Sequence, residues 1–502
     1  MELVFQENQL EYLNTILCES VSQEQTAELI VPDRVPDAAR VVDAFGTALI
    51  RSEECTGGFV SVSGMVQAGV LFVSENGQVQ SLQTQIPFSV RREFAEPQEN
   101  CTLQCQCRLK SVDGRLLNSR KLLLRVGIVC TLRVFAEVER TVFELPEAAP
   151  TLQLKRRELP LRMPLSLGEK SFVLNEEMPL PTGKPPMAAL LKCLLRTELQ
   201  EQKVVGSKAV FKGELCVHAL YEDAEGTLES FEGRLPFSQY AELDDDREDG
   251  EVRTALSLTS VEIEPESQSD CRRLLLSVQM LAQCTVYGEQ RVAYIEDAYC
   301  TDAEFVPKWD AWEMYGVLDR QTMRETASAT AELPAQSVVD AWLYAEETVK
   351  RREGDRMLIE QPFGCNLLYY DADGALQGRT LRLSAAMETA LSPDSGCNAV
   401  PIGAGELYCA ASSEGIEVRC PVSAELEFFA KEAIHAVSGG EIHEGEASAQ
   451  RRPAVLLRRT EQTQEVWEIA KSCRTSVEAV MSANGLQMPS VPADTLLLIP
   501  MG

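Results

Sequence analysis

Histidine is nearly missing from this sequence. Only His218, His435 and His443 occur in 502 residues, so a Ser–His or Cys–His nucleophile pair has almost nothing to draw on. His435 and His443 stand near Glu441 and Glu444, without the H-E-x-x-H spacing that sets two imidazoles on one helix face. The sixteen cysteines include no Cys-x-x-Cys pair, which argues against zinc. A Walker loop is absent, so any ATP chemistry would belong to a partner. Gly403-Ala404-Gly405 has Tyr408 where a third glycine would stand, and Leu407 to Ala411 shows no helical period; a loop ahead of a strand is expected. No stretch reaches the roughly twenty apolar residues of a membrane helix. Basic residues are few, 47 Lys and Arg against 77 Asp and Glu. The net charge of −30 excludes nucleic acid and anionic membrane as direct electrostatic partners. Met1 to Tyr12 carries Glu2, Glu7 and Glu11 and no Lys or Arg, unlike a secretory signal, and the expected location is the cytoplasm. A non-enzyme is expected, with no catalytic residue, cofactor, metal ligand or membrane insertion.

What is present is an ordinary globular composition, 45% hydrophobic and 25% charged, in a chain long enough for several domains. Cys101, Leu103, Cys105 and Cys107 alternate with Thr102, Gln104 and Gln106, the period of a half-buried strand using cysteine as a small hydrophobe. Cys130 and Cys216 lie in similar apolar runs, and all sixteen cysteines are expected to be reduced thiols of a reducing compartment. Asp244-Asp245-Asp246 with Glu248, Asp249 and Glu251 lacks the alternating ligand order of an EF-hand and reads as a solvated acidic loop.

An internal repeat organises most of the chain. Prolines precede helix-like apolar stretches at Pro36, Pro185 and Pro334, each 149 residues after the last. A hairpin follows in every copy, turning at Asn76-Gly77, Glu225-Gly226 and Asp373-Gly374, where glycine supplies the positive φ. Ile86-Pro87-Phe88-Ser89 recurs as Leu235-Pro236-Phe237-Ser238 and degenerates to Leu383-Ser384-Ala385, which leaves the third register less defined. Each copy ends in an alternating strand: Lys121 to Phe135, Arg273 to Tyr287, and Ile416 to Phe429. The period is too long for a solenoid. Three tandem β-rich repeat domains are expected at 25–150, 165–300 and 325–437, after an N-terminal segment 1–24. Linkers are placed near Glu144–Glu169, Cys300–Thr330 and Ser438–Pro453, the last flexible because of Gly439-Gly440. Trp309 and Trp312, between the second and third copies, read as packing between domains or as a partner groove.

The last fifty residues read as strand, helix, helix, strand. Ala454–Arg459 is a strand, and Val466, Ile469, Ala470 and Cys473 mark one buried helix face. Thr475 with Glu478 reads as a capping box opening a second helix, Asn484-Gly485 as its C-cap, and Leu496–Ile499 as the closing strand. Val466–Lys471, Thr475–Glu478, Ala483–Leu486 and Ile499-Pro500 resemble a LysM domain, which implies a βααβ fold over 453–502 and a binding role, usually for N-acetylglucosamine glycans. Such domains usually carry Gly-Asp-Thr ahead of the first helix; here Thr463-Gln464-Glu465 stand there, and a glycine for close ligand approach is missing. The ligand-binding surface implied by the resemblance comprises Thr463, Gln464, Glu465, Trp467, Asn484, Gly485 and Leu486. Trp467 has two readings, core anchor or contact residue.

Triplication followed by this module resembles the SPOCS-domain proteins of endospore formers. Val31-Pro32-Asp33 with Pro36–Val41, Leu117–Lys121 and Asp297-Ala298-Tyr299-Cys300 carry the likeness. It implies a mainly β, non-enzymatic scaffold of the spore coat in the mother cell. Such a scaffold docks on a SpoIVA-like coat ATPase at the forespore surface, partly through the LysM domain. The alternative is a peptidoglycan-binding protein of wall or cortex.

Overall fold

The computed structural model describes residues 6–56, 58–94, 100–144, 151–244, 249–266, 271–412, 414–443 and 453–501. Strands dominate, because the chain is rich in apolar–polar alternation and its turns carry glycine in the left-handed region at Gly77, Gly226 and Gly374. The first unit comprises β1 (Gln6–Ile30), β2 (Ala38–Thr56), β3 (Phe59–Ser74), β4 (Val79–Glu93), β5 (Cys101–Asn118) and β6 (Lys121–Glu144). The second comprises β7 (Leu152–Pro179), β8 (Ala189–Val205), β9 (Lys208–Glu222), β10 (Leu228–Glu242), β11 (Glu251–Pro265) and β12 (Arg273–Cys300). In the third, two strands are interrupted: β13 (Glu304–Ala331), β14 (Ala335–Ala345), β15 (Val349–Glu353), β16 (Arg356–Asp371), β17 (Leu376–Ala390), β18 (Ser395–Ala404), β19 (Tyr408–Ala411) and β20 (Ile416–His443).

Each unit folds as two antiparallel sheets. In the first these are β2-β3-β4 and β1-β6-β5; the second repeats them as β8-β9-β10 and β7-β12-β11. In the third, β14 and β15 share β16 with β17, and β13-β20-β18 has β19 as an extra partner. The inward residues of both sheets make one core per unit, for example Val62, Val66, Phe88, Leu124 and Ile128 in the first. The mainly β expectation holds, and the degenerate Leu383 keeps the register: it opposes Phe363 as Ile86 opposes Val66 and Leu235 opposes Leu215. Two residues on, Phe88 faces Gly64 and Phe237 faces Gly213, while Ala385 faces Gln361. The small and large partners have exchanged strands.

Three expectations are corrected. The apolar stretches after Pro36, Pro185 and Pro334 are strands β2, β8 and β14. Bulges at Val41/Asp43, Leu190/Lys192 and Val338/Asp340 put extra residues into the period of two, which mimics a helical spacing. The expected linkers 144–169 and 300–330 lie largely in β7 and β13, so the units open at Gln6, Leu152 and Glu304 and not at 25, 165 and 325. Both strands are sheet edges, where Pro160, Pro164 and Pro307 cost no ladder hydrogen bond when their nitrogen faces outward. Gly439-Gly440 belongs to β20; the remainder of that expected linker, 444–452, lies outside the described residues, as do 245–248 of the acidic run. Finally, Cys55 and Cys101 are joined in a disulfide between β2 and β5, so not every cysteine is a thiol.

After the third unit come β21 (Val455–Arg459), β22 (Gln464–Glu465), α1 (Val466–Cys473), α2 (Val477–Asn484), β23 (Ser490–Val491) and β24 (Leu496–Pro500). β21 pairs antiparallel with β24, giving the strand, helix, helix, strand order. Among the described residues no helix is long and apolar enough to cross a membrane.

Candidate functional site

The three bulges decide how the units meet. Asp43, Lys192 and Asp340 follow them at matched positions, opposite Leu71, Leu220 and Leu368, and all three converge on one point. Lys192 Nζ lies 2.7 Å from both Asp43 Oδ2 and Asp340 Oδ2, with side-chain exposures of 1%, 3% and 1%. Around them, Val42, Leu191 and Val339 and the three opposing leucines form an apolar cluster drawn from all units. The units thus surround a pseudo-threefold axis. A cyclic contact confirms this: Ser81 Oγ donates to the Leu191 carbonyl at 2.7 Å, and Ser230 Oγ donates to the Val339 carbonyl at 3.0 Å. The third member of that set is Gly378, where a Cβ would stand 1.6 Å from the Val42 carbonyl oxygen. Only glycine closes the ring.

Burial alone disfavours these charges, and their mutual arrangement offsets it. Burial opposes the Lys192 ammonium, but Asp340 and Asp43 hold its pKa well above the ordinary lysine value. Burial likewise opposes the Asp340 carboxylate, yet Lys192 and His218 hold its pKa below the usual range. Asp43 has Lys192 and the Ala44 N–H, and burial pushes its carboxyl up. His218 Nε2 lies 2.5 Å from Asp340 Oδ1 and its Nδ1 3.2 Å from Glu232. Burial works against the imidazolium, and Asp340 raises it to about 9.

A second layer lies in the long strands. Bulges align Phe135, Tyr287 and Phe429, and two residues earlier Arg133, Thr285 and Glu427. Arg133 donates to both Glu427 carboxylate oxygens at 2.9 and 3.0 Å and to Tyr287 Oη at 2.5 Å. Arg320 donates to the same carboxylate and lies over the Tyr287 ring. Burial raises the Glu427 pKa, but the two guanidinium groups bring it below the usual value. Further along, Tyr12, Leu161 and Met314 pack together with Trp312, so Trp312 is indeed interdomain packing, while Trp309 is half exposed.

The C-terminal module stands on the second unit. Trp467 is buried; its Nε1 donates to Asp297 Oδ2 at 2.8 Å and its ring meets Tyr299 edge-on. Lys471 reaches the same carboxylate at 2.6 Å, Lys155 pairs with Glu465 at 2.7 Å, and Tyr299 Oη donates to the Thr475 carbonyl. Of the surface expected from the sequence, Trp467 and Glu465 are therefore held by the chain's own body. Gln464 pairs with Val491 in β22–β23, and Thr463 is exposed. Asn484 ties α2 to β24 through both bonds to Leu498, Gly485 is the left-handed C-cap, and Leu486 packs on the module's core. The N-cap of α2 is Ser476, accepting from Ala479 N, in place of the expected Thr475.

Sequence reasoning missed the axis, although the triplet Asp43, Lys192, Asp340 was findable as charges at one repeat position inside apolar runs. The resemblance residues prove structural: Arg120 bonds Val35 O, Asp37 and Asp33, and Ser119 bonds Asp37. This joins the Val31–Asp37 corner to the β5–β6 turn. Asp297 and Tyr299 form the module's seat.

Residues 186–266, spanning β8 to β11, match the family model described as SipL, SPOCS domain. The second unit is similar to that domain. No curated protein matches the chain.

Proposed function

We propose that this chain is a non-enzymatic scaffold of spore-coat assembly that binds a SpoIVA-like coat ATPase at the forespore surface in the mother cell. The likeness of the second unit to the SipL SPOCS domain supports the sporulation setting. The LysM-like module supplies part of the contact. The observation that carries protein binding is the outward face of its two-stranded ribbon. Leu497 and Ile499 are buried, whereas Val455, Leu457, Leu496 and Leu498 on the opposite face are 47%, 65%, 64% and 39% exposed. A contiguous aliphatic face favours a protein partner, and a sugar site would want the Trp467 ring, which is turned inward.

The test is capture of a purified SpoIVA-like ATPase by the full chain, by Leu457→Glu/Leu496→Glu, and by a chain ending at 452. Peptidoglycan sedimentation runs alongside. Capture by the parent that falls about tenfold or more in both variants is expected, since burying two leucines contributes roughly 3 kcal/mol. Peptidoglycan sedimentation without ATPase capture would replace this reading with the glycan one.

A further inference from the structure

The two-stranded ribbon of the C-terminal module has two outer edges, and one of them is closed. Asn484 stands beside β24: its Nδ2 donates to the Leu498 carbonyl and its Oδ1 accepts the Leu498 N–H, both at 2.7 Å. One side-chain amide thus fills the place of a neighbouring strand. Pro500, two residues on, has no N–H to offer. β24 is therefore shut to a further strand.

The same two bonds fix the state of β21. Leu498 opposes Leu457, and directly opposed residues of an antiparallel pair exchange either both backbone bonds or neither. Leu498 gives its N–H and C=O to Asn484, so Leu457 turns its own N–H and C=O away from β24. By the period of two, Val455 and Arg459 do the same. Among the described residues β21 pairs with β24 alone, and nothing bonds the outward N–H or C=O of Leu457.

The side chains agree. Val455, Leu456 and Leu457 are 47%, 37% and 65% exposed. Leu456 lies on the core side, where its cross-strand partner Ile499 is fully buried. The module's core therefore covers β24 and leaves β21 partly bare. Three consecutive exposed aliphatic residues fit neither a solvated face nor a protected edge. Both faces and the rim of β21 lack the cover that one more strand would supply.

On the reading that this ribbon binds a coat ATPase, we infer that β21 receives one extended segment of that protein as an added β-strand. The incoming backbone bonds Leu457. Its aliphatic side chains cover Leu456 on one face and Val455 and Leu457 on the other. Pairing of β21 with a second copy of itself is opposed by the approach of two chains of net charge −30.

The test is hydrogen exchange at single residues in the full chain, alone and with the purified SpoIVA-like ATPase. Alone, the amides of Leu456 and Arg458 face β24 and exchange slowly, whereas that of Leu457 exchanges fast. In the complex the Leu457 amide should slow at least about tenfold. Leu457→Pro removes that N–H and no bond of the ribbon, while Leu457→Ala keeps it. The proline variant should capture the ATPase about tenfold more weakly than the alanine variant. Slow exchange at Leu456 and Arg458 shows that the proline ribbon is folded; if it is lost, exchange in the parent complex decides. Capture with a fast Leu457 amide, or equal capture by both folded variants, overturns the added strand and leaves the ATPase-binding reading standing. Slowing of Leu457 with the concentration of the chain alone assigns the edge to a second copy and also overturns it. No capture by the parent fails the ATPase-binding reading, and the added strand with it.

Discussion

Replacing Lys192 by methionine removes one cation, strands the Asp43 carboxylate and leaves Asp340 with His218 alone. Asp43 and Asp340 keep side-chain exposures of 3% and 1%, so water cannot take over the role of the ammonium. Breaking a buried ion pair in this way costs about 3–5 kcal/mol, against a total stability on the order of 5–15 kcal/mol. Because the triad belongs to all three units, the loss should appear in the whole body. Denaturant titration followed by far-UV circular dichroism should show one cooperative transition for units one to three, displaced to lower denaturant in Lys192→Met. Without Lys192, burial raises the Asp43 pKa further above its unfolded value near 3.9, while Asp340 keeps the His218 imidazolium against its own burial. Stability from a carboxyl raised in this way is present below that pH and lost above it, so the deficit should shrink as pH falls toward 4. Adding Asp43→Asn should recover part of it. If Lys192→Met lies within about 1 kcal/mol of the parent, or if only one of several resolved transitions moves, the closed-ring reasoning is wrong.

Other outcomes follow from the same contacts. His218 is raised to about 9 from about 6.5 when unfolded, so its contribution is full below pH 6.5 and is lost as pH rises through 9. His218→Asn should flatten that slope, worth on the order of 3 kcal/mol, in unfolding titrations across pH 6–10. Asp297→Ala leaves Trp467 Nε1 and Lys471 without their acceptor; protection of α1 amides in hydrogen exchange should fall while α2 is less affected, and unchanged protection would mean the seat does not hold the module. Gly378→Ala forces a Cβ against the Val42 carbonyl and should destabilise by at least about 1–3 kcal/mol, whereas Gly374→Asn, at an open turn, should cost less. Alkylation of denatured, unreduced protein should label fourteen of the sixteen cysteines by mass, since Cys55 and Cys101 are bridged; sixteen labels would contradict the bridge.

The sequence made the hairpins and their turns legible because both are local: alternation over a dozen residues and a glycine with positive φ suffice. It also showed the repeat, through Pro36, Pro185 and Pro334. What it hid depends on distant partners. β1 finds β6 more than ninety residues downstream, and nothing near Gln6 signals this. Prolines in β7 looked like linker because edge position is a tertiary property. The bulges blurred strand into helix over Val41-Val42-Asp43. At the candidate surface, the choice between the two readings of Trp467 rested on Asp297 and Tyr299, some 170 residues away. The Cys55–Cys101 bridge was masked because Cys101 fits its strand's alternation perfectly well as a hydrophobe.

The axial charges also bear on synthesis. Contacts such as Arg40 to Leu376 and Asn366 to Ala44 cannot form until the third unit has left the ribosome. At 5–20 residues per second, the first unit waits roughly 15–60 s after its own completion. Meanwhile Val42, Phe45 and Leu71 lack their neighbours, and on a neighbouring ribosome an identical face is exposed. Asp43 in the middle of that face is then a solvated charge. Two first units that met there would press aspartate on aspartate, and two second units lysine on lysine. One of each unit instead sets the Lys192 ammonium between the two carboxylates, with the His218 imidazole beside Asp340, so at this axis the charges disfavour like units as neighbours.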